Sequence, residues 1–181
     1  MALLILGLAL WIGAHLFKRV APDARARLGD TGKALVAVAV LVSIVLMTLG
    51  YRQADTAVFW GRHPATVGIN NLLMLLSVYL FAASGMKTRI TRYVRHPQLS
   101  AVKAWAVAHL LVNGDVASIV LFGGLLAWAV AEVVVINRAT PRPPAPAPVP
   151  ISKEIMALAG TVVVFGLISA IHYWLGYPVF G

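Results

Sequence analysis

The chain has no cysteine among its 181 residues. That excludes disulfides, thiolate zinc sites, iron–sulfur clusters and cysteine nucleophiles, and it leaves cysteine usage silent on redox compartment. Charge is also scarce. Only 12% of the residues are Asp, Glu, Lys or Arg, against roughly 25% in a soluble domain. The acidic residues number 6, which argues against a carboxylate-rich divalent-metal site. No GxGxxG, P-loop or HExxH motif is present, and no Ser–His–Asp arrangement suggests itself. No pair of interrupted apolar helices marks an inverted-repeat transporter.

What is present is apolar. Hydrophobic residues make up 60% of the chain, and the mean hydropathy is +0.86. So few polar residues do not cover a water-facing surface, and the same balance excludes a disordered chain, which needs low hydrophobicity and high net charge. A bilayer is the natural solvent. A spanning helix takes roughly 20 residues, so a chain of this length holds up to six spans and little else.

Apolar runs bounded by charge, Pro or Gly predict spans at about 2–17, 34–51, 66–85, 97–112, 116–136 and 155–174. No basic residue precedes the first run, and Lys18 and Arg19 follow it. That is the reverse of a secretory signal, so the run is expected to be a retained span. The formal charge of +9 has a topological origin. Loops one, three and five carry 12 of the 15 basic residues, whereas loops two and four carry only Arg52 and Arg62. Basic loops stay cytoplasmic, so both termini are expected outside the cytoplasm. No aromatic-plus-basic surface suggests nucleic acid. The expected fold is an all-α polytopic membrane helical bundle of about six transmembrane helices. It divides into a transmembrane domain at 1–138, a proline-rich cytoplasmic linker at 139–153, and a final helix and tail at 154–181. Within the linker, the run from Pro141 to Pro150 favours extended polyproline II and forbids helix.

Polar side chains within apolar runs are costly and are functional suspects. His15 lies near the cytoplasmic end of the first span, one turn after Trp11; its bland role is contact with headgroups. His109 lies deep in the fourth run and shares one helix face with Trp105 and Asn113. Ala101, Ala104 and Ala108 form an adjacent small-residue stripe that permits close helix packing. His109 is therefore expected to face the bundle interior, either as a hydrogen-bonded neutral histidine or as a metal or haem ligand. His96 precedes Pro97 at a helix start, beside Arg92 and Arg95; a capping or headgroup contact and a phosphate or propionate clamp are both open to it. His96 and His109 point roughly 140° apart and cannot share one iron from a continuous helix. Lys103 and Glu132 are expected to pair at similar cytoplasmic depth. Asn70, Asn71, Asn113 and Asp115 are expected to tie helix ends together on the outer side. His63 and His172 receive no role.

The run Arg95-His96-Pro97-Gln98-Leu99, followed by Trp105, Ala108-His109-Leu110-Leu111 and Asn113-Gly114-Asp115, resembles the NnrU family of membrane proteins. Ala117-Ser118, Leu121-Phe122-Gly123-Gly124 and Ala127-Trp128-Ala129 extend the likeness, as do Gly7-Leu8, His15-Leu16 and Gly50-Tyr51. It covers about residues 2–138.

The resemblance implies a link to denitrification and nitric oxide metabolism, and kinship with plant zeta-carotene isomerase, a membrane haem protein that isomerises a cis double bond. It implies haem b with His15 and His109 as axial ligands. Trp11 and Trp105 would pack beside the haem, with Arg92, Arg95 and His96 available to propionates. A cysteine of the relative is Ala106 here, so ligand exchange through that thiolate is excluded. Redox or isomerisation chemistry on a hydrophobic or small gaseous substrate in a bacterial inner membrane follows as an expectation. Two other readings are a non-catalytic accessory role in assembling a respiratory or denitrification complex, and an isoprenylcysteine-type methyltransferase. The latter shares the Arg-His-Pro run but needs a later Glu-Glu pair, where this chain has only Glu154. Counting helix rise, His109 lies roughly 10 Å further from the cytoplasmic side than His15, whereas two axial ligands stand about 4 Å apart across an iron.

Overall fold

A computed structural model describes residues 1–144 and 147–180. Part of the expected proline linker, Ala145 and Pro146, lies outside the described residues, as does Gly181. The described chain is all-helical. The helices are α1 (Ala2–Val20), α2 (Pro22–Arg27), α3 (Gly29–Arg52), α4 (Pro64–Met86), α5 (Pro97–Val112), α6 (Val116–Ser118), α7 (Gly124–Ala139) and α8 (Ile151–Trp174). Five continuous rods are long and apolar enough to cross a membrane: α1, α3, α4, the rod Val116–Ala139 and α8. The remaining predicted run, α5, is a helix of 16 residues.

The helix boundaries follow local chemistry. Pro64 and Pro97 open α4 and α5 at the first helical position, where a missing N–H costs nothing. His63 caps α4 by accepting from the Ala65 N–H at 3.3 Å, and Thr66 closes the reciprocal bond to the His63 N–H at 3.2 Å. Asp115 caps α6 by accepting from the Ser118 N–H at 2.8 Å. Between α6 and α7 the rod widens into a π-turn over Ile119–Gly123, a feature that often marks functional positions.

Neighbouring helices meet through small residues and a few hydrogen bonds, as expected where lipid competes equally for apolar contact. Gly7 backs onto Met47, whose backbone nitrogen would stand 2.7 Å from an added Cβ, and a Cβ on Gly50 would strike the Leu4 backbone. These contacts hold α1 antiparallel to α3. On α4, Ser77 donates to the Ala101 carbonyl at 2.9 Å. In the amide orientation that satisfies both of its ends, Asn70 donates to the Ala108 carbonyl at 2.9 Å. These two rungs, seven residues apart on both helices, lock α4 antiparallel to α5 over the buried alanines 101 and 108. The stripe read from the sequence is therefore the α4–α5 seam.

The remaining pairings fix the direction of every long helix. His96 reaches Asn137 while His109 meets Phe122, so α5 runs antiparallel to the α6–α7 rod. Leu8 sits over Gly124, His15 on Trp128 and Arg19 on Glu132; these numbers rise together, so α1 and α7 are parallel. Arg89 N–H binds Glu154 at 2.7 Å near one end of α4, and Asn71 binds the Val179 carbonyl at 3.2 Å near the other, so α8 runs antiparallel to α4. Large apolar side chains such as Leu41, Leu72 and Val163 point outward and are exposed, the surface expected of a bundle that lies in lipid.

Candidate functional site: two tryptophan–histidine nests

His15 and His109 occupy matching local frames. Each ends a Trp-x-x-Ala-His run, Trp11 to His15 on α1 and Trp105 to His109 on α5. In each, histidine Nδ1 lies 2.9 Å from the carbonyl oxygen of the tryptophan four residues earlier. A carbonyl only accepts, so Nδ1 carries the proton and Nε2 keeps its lone pair. That is the tautomer in which a histidine binds a metal or accepts a hydrogen bond. The repeated run escaped the reading of the sequence, although it is visible there as a five-residue pattern.

The two nests rest on different rings. His15 packs at 4.2 Å on Trp11 and 4.8 Å on Trp128, and the two indoles meet edge to face at 5.4 Å. His109 stacks on Phe122 at 4.5 Å, with Trp105 at 5.0 Å from both rings. Phe122 and Trp128 are six residues apart on one helical rod, about 9 Å of rise. Buried Leu125 lies between them in sequence. The two histidines therefore rest at different heights along that rod, each against its own aromatic wall.

The surroundings also differ. The His109 nest is held by α-helical neighbours and the π-turn. Tyr51 meets Phe122 at 6.3 Å and hydrogen-bonds Ser118 at 2.8 Å. Asn113 donates to the His109 carbonyl at 2.9 Å, a bond within the end of α5 and not the tie between helix ends expected of it. Above α5, the Trp60 ring lies on Gly114 and its indole N–H donates to Leu110 O at 2.8 Å. Trp60, His63, Thr66, Val107, Leu110 and Leu111 line an open groove of about 560 Å³ there.

The His15 nest is polar beneath its rings. Arg19 lies one turn beyond His15 and pairs with Glu132 Oε1 at 3.5 Å. Glu132 is thus partnered by Arg19, not by Lys103 as expected: α1 lies parallel to α7 and brings Arg19 to the same depth. The other carboxylate oxygen of Glu132 is buried without a partner, and so are the indole nitrogens of Trp11 and Trp128. A buried polar atom left unpaired costs about 1–3 kcal/mol, so three in one cluster mark a site that needs a partner.

Arg92, Arg95 and His96 are brought to neither nest's histidine by any contact. Arg95 Nη2 donates to Thr140 O at 2.8 Å and Pro141 O at 3.2 Å, and His96 Nε2 donates to Asn137 Oδ1 at 2.9 Å. Arg142 donates to the Arg92 and Tyr93 carbonyls, each at 3.1 Å. These residues clasp the start of α5 and the start of the proline linker to the end of α7. Thirteen residues separate His96 from His109, about 20 Å of helix, so a clamp for a haem on His109 lies beyond their reach. Asp115, just outside the rod it caps, is pushed up by burial, but its bonds to Ser118 and Thr56 outweigh this and hold its carboxyl below the ordinary range. His172 repeats the Nδ1 bond, to Ile168 O at 2.8 Å.

No curated protein and no solved structure matches the chain. A family model described as NnrU protein matches residues 3–179, so the likeness continues past the α1–α7 helices through the linker and α8. The chain belongs to the NnrU family.

Proposed function

We propose that this integral membrane protein crosses a bacterial inner membrane six times with both termini outside the cytoplasm, and holds haem b through Nε2 of His109. The topology draws support from helix direction. With α4 and α7 parallel, the chain between them must return, and α5 is the return. The 12 basic residues of loops one, three and five then share the cytoplasmic side.

The observation that carries the haem reading is the aromatic enclosure of His109, half-buried, stacked on Phe122 at 4.5 Å with Trp105 at 5.0 Å, while Trp105 O engages its Nδ1–H and leaves Nε2 to ligate. A bound haem supplies a redox-active iron. The chain's own residues do the rest: Trp105 O orients the imidazole, Phe122 and Trp105 exclude water from its faces, and the π-turn places Phe122 against it. Redox or isomerisation chemistry tied to nitric oxide metabolism or denitrification fits such a site.

Protein purified in detergent from haem-replete cells is expected to show a Soret band that His109→Ala removes. Colourless wild-type protein overturns the haem assignment.

A further inference from the structure

We propose that His172, in the last turn of α8, supplies the second axial nitrogen to the haem held by His109. The inference rests on the haem reading of His109 and deepens it by naming the partner ligand.

Helix direction brings the two histidines to one level. Both α5 and α8 run antiparallel to α4, so their C-terminal ends lie at the same end of the bundle. His109 is in the last turn of α5 and His172 in the last turn of α8. Adjacent residues of α4 tie the two ends down. Asn70, in its satisfied orientation, holds the Ala108 carbonyl at 2.9 Å, and Asn71 holds the Val179 carbonyl at 3.2 Å. Val179 lies on a tail that turns back at Gly176, φ 85°, with the Tyr177 N–H on the His172 carbonyl at 2.8 Å.

His172 turns inward. Along α8 it falls on the face of buried Ala157 and Thr161, which packs on α4, whereas Ile171, Tyr173 and Trp174 are exposed. The charge of His172 acts on the His109 ring. Tyr177 of the same tail acts likewise on Tyr51, which meets Phe122 beside His109.

The chemistry of the five histidines makes the same choice. Nδ1 of His172 is spent on Ile168 O at 2.8 Å, so Nε2 keeps its lone pair, as in His109. His63 accepts the Ala65 N–H at Nδ1, which leaves its proton on Nε2. His96 spends Nε2 on Asn137 at the opposite end of α5. His15 rests on Trp128, about 9 Å of rise from Phe122. His172 is thus the second imidazole with an open Nε2 at the level of His109, and two neutral imidazoles ligate an iron without adding charge.

The test reads the spin state of the iron in protein purified in detergent from haem-replete cells. Wild-type protein is expected to give the low-spin ferric resonance of an iron with two imidazoles. His172→Ala should replace it with a high-spin resonance, the Soret band shifting but persisting through His109. His172→Met should restore the low-spin state and raise the midpoint potential, as methionine–histidine ligation does; a merely structural role for His172 gives neither. Because the chain has no cysteine, placement is also measurable without haem. A short bifunctional thiol reagent is expected to bridge a His109→Cys, His172→Cys pair and not a His15→Cys, His172→Cys pair, as read by mass spectrometry. A low-spin resonance that survives His172→Ala, or that His15→Ala abolishes instead, overturns the second ligand and leaves haem on His109 standing. So does a 109–172 cysteine pair that the reagent fails to bridge. Colourless wild-type protein overturns the haem reading and the second ligand with it.

Discussion

The two tryptophan–histidine nests share a backbone pattern and differ in what faces them. Both histidines are turned and protonated in the same way by a tryptophan carbonyl. His15 meets an indole, a carboxylate and an arginine across the α1–α7 seam, whereas His109 meets a phenyl ring on a π-turn. The local sequence sets the tautomer, and the neighbouring helix sets the chemistry. Polar atoms without partners gather at the first nest; at the second, the ring is enclosed by aromatics. A motif found twice in one chain therefore need not build two halves of one site.

The strongest way to break this distinction is to remove each histidine in turn. His109→Ala is expected to remove the Soret band, since the ligand itself is gone. His15→Ala is expected to leave the Soret band above about half of the wild-type height. Equal losses would merge the nests into one site.

A second test perturbs the walls. A Cβ on Gly50 would press into the Leu4 backbone and push α1 from α3, so Gly50→Ala is expected to cost about 1–3 kcal/mol as an overpacked contact. Thermal unfolding in detergent measures this, and the indole signals of Trp11 and Trp128 should move while the Soret position holds. Ser77→Ala acts on the other nest by removing one rung of the α4–α5 seam. Its expected cost is about 0.6 kcal/mol, the average for an interhelical hydrogen bond in lipid, and here the Soret position should move while those indole signals hold.

The smallest effect concerns the cap above the His109 nest. The folded-state pKa of Asp115 is depressed, so its contribution is fully present above the ordinary carboxylate range and is lost as pH falls through the lower folded value. Wild-type protein should lose more thermal stability than Asp115→Asn on acidification below about pH 4. Parallel curves would remove Asp115 from the cap's account.

Much of the bundle was legible in advance, and for identifiable reasons. Pro97 and Asn113 punctuate α5 so sharply that its predicted ends match those observed. Elsewhere the helices run a few residues past the apolar runs, as α1 does through Lys18 and Arg19 to Val20, because hydrogen bonding continues where hydropathy stops and long basic side chains reach the interface. The depth offset between His15 and His109 was already present in the count of helical rise. The partner of Glu132 was not, because charge and depth alone do not say that α1 lies beside α7. The π-turn was equally hidden, since an apolar run carries no mark of an extra residue in one turn. The unpaired indoles become visible only once Trp11 and Trp128 are placed together.

The short α5 has a consequence for the bilayer itself. Its 16 residues rise about 24 Å, less than the roughly 30 Å of a typical hydrocarbon core, while α3 and α8 each have 24 residues. Such a mismatch draws lipid inward or is masked by neighbouring structure, and here the segment bearing Trp60 folds over the C-terminal end of α5. His109 stands only three residues from that end, about 4.5 Å of rise. In the proposed six-span topology, a shallow dent in the leaflet at that end would bring the aqueous phase close to an imidazole that its sequence surroundings would place deep in oil.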